Sequence, residues 1–147
     1  PDVLTILIGV NDVWHELGDQ NGVDAPLFEE VYRMVLRETR EALPKTRIIL
    51  MGAYVLHGTA TDSAWDTFSS EVKIRRDITC MLAEQFGLAY VDLQQVFDEA
   101  LGKYPAQHWA ADGVHPTAAG HWLIAQAWKK AVGIGSGREN GEKEKQQ

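Results

Sequence analysis

Asp112-Gly113-Val114-His115-Pro116 places a carboxylate and an imidazole three positions apart. A tight turn through Gly113 can bring the two side chains into contact. The carboxylate then holds one ring nitrogen and fixes the tautomer, leaving the other nitrogen as a general base. A helix starting just behind His115 would favour the neutral imidazole that a base needs. The same five residues also fit a surface loop with a His-Pro turn. A second candidate is Gly9-Val10-Asn11-Asp12. An asparagine held beyond a buried strand can aim its amide N–H into a small pocket, as an oxyanion hole requires. Gly9 would let the backbone turn sharply and let a ligand approach. Asn-Asp after a strand is also ordinary turn chemistry. Gly9, Trp14 and His15 are candidate pocket-lining residues, although an aromatic beside such a loop also serves as a plain lid contact.

Other reactive types have simpler readings. His57 reads as a loop histidine, and His108 and His121 as surface or cap residues. Ser63, Ser69 and Ser70 read as helix-start residues rather than nucleophiles. Cys80 has apolar neighbours and reads as core. Trp65, Trp109, Trp122 and Trp128 read as packing. Asp12, Asp92 and Asp112 show no metal-ligand spacing, so neither a metal nor a cofactor is expected.

These residues need elements to position them. Val3-Leu4-Thr5-Ile6-Leu7-Ile8 is a short apolar run ended by Gly9, as expected of a strand buried on both faces. A polar loop is predicted from Gly9 to about Ala25. Asp24 can cap a helix with Pro26 in its first turn. Phe28, Val31, Tyr32, Val35, Thr39 and Leu43 then recur at helical spacing until Pro44 stops it. A second strand is expected at 47–51. A helix from about Asp66 to Phe86 has Val72, Ile74, Ile78, Met81, Leu82 and Phe86 as core contacts, with Gly87 as its stop. A third strand at 88–91 and a short helix at 94–101 follow. The loop carrying Trp109, Asp112 and His115 comes next. The last helix starts at Thr117 and buries Leu123, Ile124, Ala127 and Trp128. The order β-α-β-α-β-α-α predicts a parallel sheet with helices on both faces. Ligands in such folds sit beyond the carboxyl ends of the strands, where Gly9 to Asn11 fall. Residues 1–132 read as one folded unit and 133–147 as a disordered polar tail.

Composition narrows the partners. The 147 residues carry a net charge of −7 and no basic stripe, which argues against nucleic acid. No apolar run approaches the length of a membrane span. The single cysteine allows no internal disulfide and fits a reducing, cytoplasmic compartment, although many secreted enzymes also lack disulfides. The chain enters a strand directly after Pro1-Asp2 and reads like the middle of a protein, so the compartment stays open.

Taken together, the two motifs resemble the third and fifth sequence blocks of the GDSL/SGNH hydrolases. Thr117-Ala118-Ala119-Gly120-His121 is similar to the way that family starts its last helix. The resemblance implies a flavodoxin-like α/β/α sandwich, of which this chain would hold the last three strands. It implies that Asn11 is an oxyanion-hole donor, that His115 is the base serving a nucleophilic serine, and that Asp112 orients it. The serine and an oxyanion glycine would belong to two blocks upstream of Pro1. Within the chain only Gly18-Asp19-Gln20 and Thr61-Asp62-Ser63 approach Gly-Asp-Ser, and neither follows a first strand. The implied activity is carboxylic ester hydrolysis through an acyl-enzyme, on short acyl esters such as acetylated carbohydrates or lysophospholipids. The 147 residues alone are expected to be inactive and to self-associate through an exposed sheet edge. The alternative is a non-catalytic flavodoxin-like binding module.

Overall fold

A computed structural model of the chain describes residues 1–134. The expectation of a disordered tail therefore lies, from residue 135 on, outside the described residues. The elements are β1 (Val3–Leu7), α1 (Val10–Asp19), α2 (Ala25–Ala42), β2 (Arg47–Gly52), α3 (Trp65–Phe86), β3 (Ala89–Asp92), α4 (Leu93–Leu101), α5 (Ala106–Trp109) and α6 (Ala118–Val132). The sheet is parallel in the order β1-β2-β3.

The alternation of a strand explains the layers. In the central strand, Ile48 and Leu50 face one side, where they pack with Phe28, Tyr32 and Leu36 of α2 and Leu82 of α3. Ile49 and Met51 face the other, against Val91, Leu93, Phe97 and Trp109, with α6 completing that layer. A third cluster, at the carboxyl ends of the strands, joins Val13 of α1 to Ala53, Val55, Phe68, Val72 and Val114. This cluster supports the loop that carries His115. Among the described residues no helix is long and apolar enough to cross a membrane.

The helix ends form for local reasons. Asp24 accepts from the Leu27 amide at 2.9 Å and caps α2, followed by Pro26. Gly87, at φ 62°, ends α3 in the left-handed conformation. Thr117 caps α6 by accepting from the Gly120 amide at 3.2 Å, and its hydroxyl donates to the His108 carbonyl at 2.6 Å. A methyl group on Gly120 would lie 2.2 Å from the Trp109 carbonyl oxygen, so the glycine lets α6 close onto α5.

Three expectations are corrected. The stretch after Gly9 is not a loop but α1, because Val10, Val13, Trp14 and Leu17 recur at helical spacing. Its Asn, Asp and Glu residues form the wet face of an amphipathic helix. Second, β1 is not buried on both faces. Val3 and Leu7, on the side where Thr5 accepts a 2.8 Å bond from Trp128 Nε1, remain 39 % and 42 % exposed. One edge of β1 pairs with β2, and among the described residues no strand pairs with the other. Third, the buried stripe of α2 is Phe28, Tyr32 and Leu36, leaving Val31 and Val35 exposed. In α3, Val72 and Leu82 are buried as expected, whereas Ile74 is exposed and Arg75 buried.

Candidate active site

Asp112 and His115 meet. The Asp112 Oδ2 atom accepts from His115 Nδ1 at 2.6 Å. Its Oδ1 accepts from the backbone amides of Val114 at 2.9 Å and His115 at 2.8 Å. Partial burial pushes the Asp112 carboxyl up, but the bonds from the His115 ring and the two amides, with the imidazole's charge, outweigh it. They hold the group below the usual carboxylate range, so it is ionised at neutral pH. An ionised carboxylate bonded to Nδ1 keeps the proton there, which leaves Nε2 as the nitrogen able to accept one. The His115 side chain is 72 % exposed and the Asp112 side chain 29 %. The imidazole is thus held from behind and open in front.

The loop owes its shape to Gly113 and to chain far away in sequence. Gly113 has φ 93°, and a methyl group there would lie 2.3 Å from the Leu56 carbonyl oxygen. The Leu56 amide donates to the Gly113 carbonyl at 2.9 Å and the Ala60 amide to the Asp112 carbonyl at 3.0 Å. The Tyr54 hydroxyl donates to the Val114 carbonyl at 2.8 Å. Burial, with the Asp112 charge adding to it, pushes the Tyr54 phenol up and keeps it a donor. Sequence reasoning reads residues 57–64 as a loop but missed that Tyr54 and this loop hold the His115 turn. The signal was their position just past the carboxyl end of the second strand. Gly113→Ala should destabilise the protein by at least about 1–3 kcal/mol from backbone strain alone, more with the overlap. Urea unfolding checks this, and an unchanged midpoint would refute the assigned conformation.

Asn11 lies in the first turn of α1, across from His115. The two share a cavity of about 350 Å³ with Leu7, Ile8, Tyr54 and His121. They also share an adjoining cavity of about 320 Å³ with Trp14, His15, Gly18 and Asp19. The Trp14 ring lies 5.4 Å from that of His115. The structure therefore brings Asn11, Trp14, His15, Asp112 and His115 to one end of the sheet. Gly9 is not among the residues of either cavity wall. It sits behind them with φ 119°, where a methyl group would meet Arg75 Cβ at 3.1 Å and Phe28 Cζ at 3.4 Å, and it turns the chain from β1 into α1. His121 is exposed, as expected, and also adds to the wall of the larger cavity.

No serine lines either cavity. Ser69 and Ser70 donate to backbone carbonyls of their own helix. Among the described residues no group of three or more His, Cys, Asp or Glu gathers to hold a metal ion. Asp92 caps α4 by accepting from the Gln95 amide at 3.1 Å.

The chain thus joins a parallel α/β fold to a carboxylate-held histidine and an asparagine at the carboxyl end of its sheet. The chain belongs to the GDSL-like lipase/acylhydrolase family, whose model matches residues 1–123. It is similar to an acetylxylan esterase from Geobacillus stearothermophilus, 32 % identical over 137 residues, which cover 91 % of this chain and 60 % of that enzyme. A crystal structure of that esterase superposes with a TM-score of 0.77 at 29 % identity, over 91 % of this chain and 60 % of that one. A putative GDSL-like lipase from Parabacteroides merdae superposes with a TM-score of 0.85 at 37 % identity, over 90 % of this chain and 61 % of that one. The chain thus spans about 60 % of the length of these relatives.

Proposed function

We propose that this chain is the base-and-oxyanion part of a serine-type carboxylic ester hydrolase, and that a serine outside these residues completes it. The observation that carries this is the 2.6 Å bond between Asp112 and His115, on an imidazole that shares its cavities with Asn11. In the complete enzyme the serine Oγ attacks the ester carbonyl carbon and its proton passes to His115 Nε2. The carbonyl π electrons move onto oxygen, where the Asn11 amide donates to the developing charge. Collapse expels the alcohol, which takes the proton from His115. Water then cleaves the acyl-enzyme by the same base.

An acetyl ester of a carbohydrate fits the walls best. Trp14 offers an aromatic face, and His15 and Asp19 offer hydrogen-bonding groups beside His115. A Geobacillus relative of this chain is an acetylxylan esterase, which supports the same substrate class. Variants of that esterase in which a serine or a histidine is replaced by alanine are described as catalytic mutants. A second reading, a flavodoxin-like binding module without catalysis, draws on the absence of serine from both cavity walls. The share of the relatives' length that this chain spans favours the first.

Asn11→Ala in the complete enzyme should lower kcat on an activated acetyl ester by roughly 10²–10³, the usual loss for one oxyanion donor. Steady-state kinetics check it. An unchanged kcat would remove Asn11 from the site.

A further inference from the structure

We propose that His57 and Asp62 form a clip that positions the Asp112–His115 pair, an inference that rests on the hydrolase reading above. His57 Nδ1 donates to Asp62 Oδ1 at 2.8 Å, and the Gly58 amide donates to the same oxygen at 3.2 Å. The imidazole also stacks on Trp65, with centroids 3.7 Å apart and planes 24° apart. Trp65 in turn packs against the cluster that holds Val13 of α1 and Val114 of the His115 loop. This second histidine–carboxylate pair is therefore not a loose surface contact.

What the clip holds is a peptide pressed against the Asp112 backbone. A methyl group on Gly58 would lie 2.3 Å from the Asp112 carbonyl carbon and 2.3 Å from the Gly113 nitrogen. The 56–61 loop closes on itself here. The Thr61 hydroxyl donates to the Leu56 carbonyl at 2.7 Å, and the Asp62 and Thr61 amides donate to the Gly58 carbonyl at 3.0 Å and 3.1 Å. From this closed loop the Leu56 and Ala60 amides reach the Gly113 and Asp112 carbonyls. Asp62 thus fixes the peptide that backs the Asp112 backbone, and the Asp112 carboxylate fixes His115. The His57 and Asp62 side chains are 60 % and 58 % exposed, so their pairing adds little to stability. Its contribution is to geometry, where misplacement of a base by a fraction of an ångström costs rate.

The test is made in the complete enzyme. His57→Ala and Asp62→Ala should each lower kcat about ten- to a hundredfold with KM unchanged. The double variant should be no worse than the single ones, because both break one contact. His57→Asn keeps a donor at the Nδ1 position and should recover most of the rate. The downfield proton resonance of the His115 Nδ1–H···Asp112 bond should shift in the alanine variants and return in His57→Asn, a change that simple destabilisation does not produce. Wild-type kcat and an unmoved resonance in His57→Ala, beside an inactive His115→Ala, would overturn the clip alone. Full activity in His115→Ala would overturn the hydrolase reading instead.

Discussion

Replacing His115 by alanine in the complete enzyme should lower kcat on p-nitrophenyl acetate by on the order of 10⁴–10⁶, or about 5–8 kcal/mol of transition-state stabilisation. Every contact around the ring points to that size of effect. Asp112 gives one oxygen to Nδ1 and the other to the loop's own amides, so the carboxylate and the imidazole move as one unit. The His115 side chain, 72 % exposed, also lines both cavities. Without the ring a serine hydroxyl keeps its proton at neutral pH and is a poor nucleophile. What survives is the catalysis that binding and the oxyanion hole supply by themselves. Steady-state kinetics with and without EDTA check this: the variant should be nearly dead, and the chelator should leave the parent unchanged. Full activity in His115→Ala, or loss of activity in EDTA, would contradict the assignment.

The second large effect concerns the 147 residues on their own. They should hydrolyse esters little better than free imidazole. No serine lines the cavities that His115 shares, and in the proposed mechanism Asn11 is one donor of a hole that needs more. Members of a catalytic unit are strongly non-additive, so loss of the nucleophile removes nearly all that the others contribute. The residual of about 10³–10⁴ over water seen when binding and oxyanion donors survive is not expected here, because the hole is incomplete too. The sheet gives a physical counterpart. One edge of β1 is unpaired among the described residues, and Val3 and Leu7 on one face of the strand and Ile8 just past its end are 39 %, 42 % and 44 % exposed. Such an edge templates pairing with another chain. Light scattering should show self-association of the isolated chain, relieved when the segment that carries the serine is supplied. A monodisperse monomer without that segment would contradict the edge argument.

The parts legible in the sequence were those whose causes are local. Asp112 and His115 stand close enough in the chain for one glycine turn to join them, and Asp24, Thr117 and Gly87 act on the helix ends beside them. Parallel pairing followed from the alternation of apolar runs with helical ones. The helix at Val10–Asp19 was missed because the wet face of a short amphipathic helix uses the residue types that also make turns. In α2, Phe28 and Tyr32 are buried as expected, but Leu36 is buried in place of Val31 and Val35, since both stripes fit helical spacing and only the neighbouring layers decide between them. The bonds from Tyr54 and the 56–61 loop to the His115 turn were invisible because their partners lie far along the chain; the Tyr54–Val114 bond spans 60 positions. His57 and Asp62 are near neighbours, yet their effect on Asp112 runs through Gly58, whose close approach no spacing announces.

The central claim is that Asp112, His115 and Asn11 serve a serine that lies outside these residues. The most direct measurement is p-nitrophenyl acetate turnover by the purified 147-residue chain, before and after addition of the segment of the complete enzyme that carries the serine. The expected result is background turnover by the chain alone and a rise of several orders of magnitude on addition, abolished by His115→Ala in this chain. Serine-hydrolase turnover by a monomer of the chain alone would contradict it, and would place the nucleophile among the serines within residues 1–147.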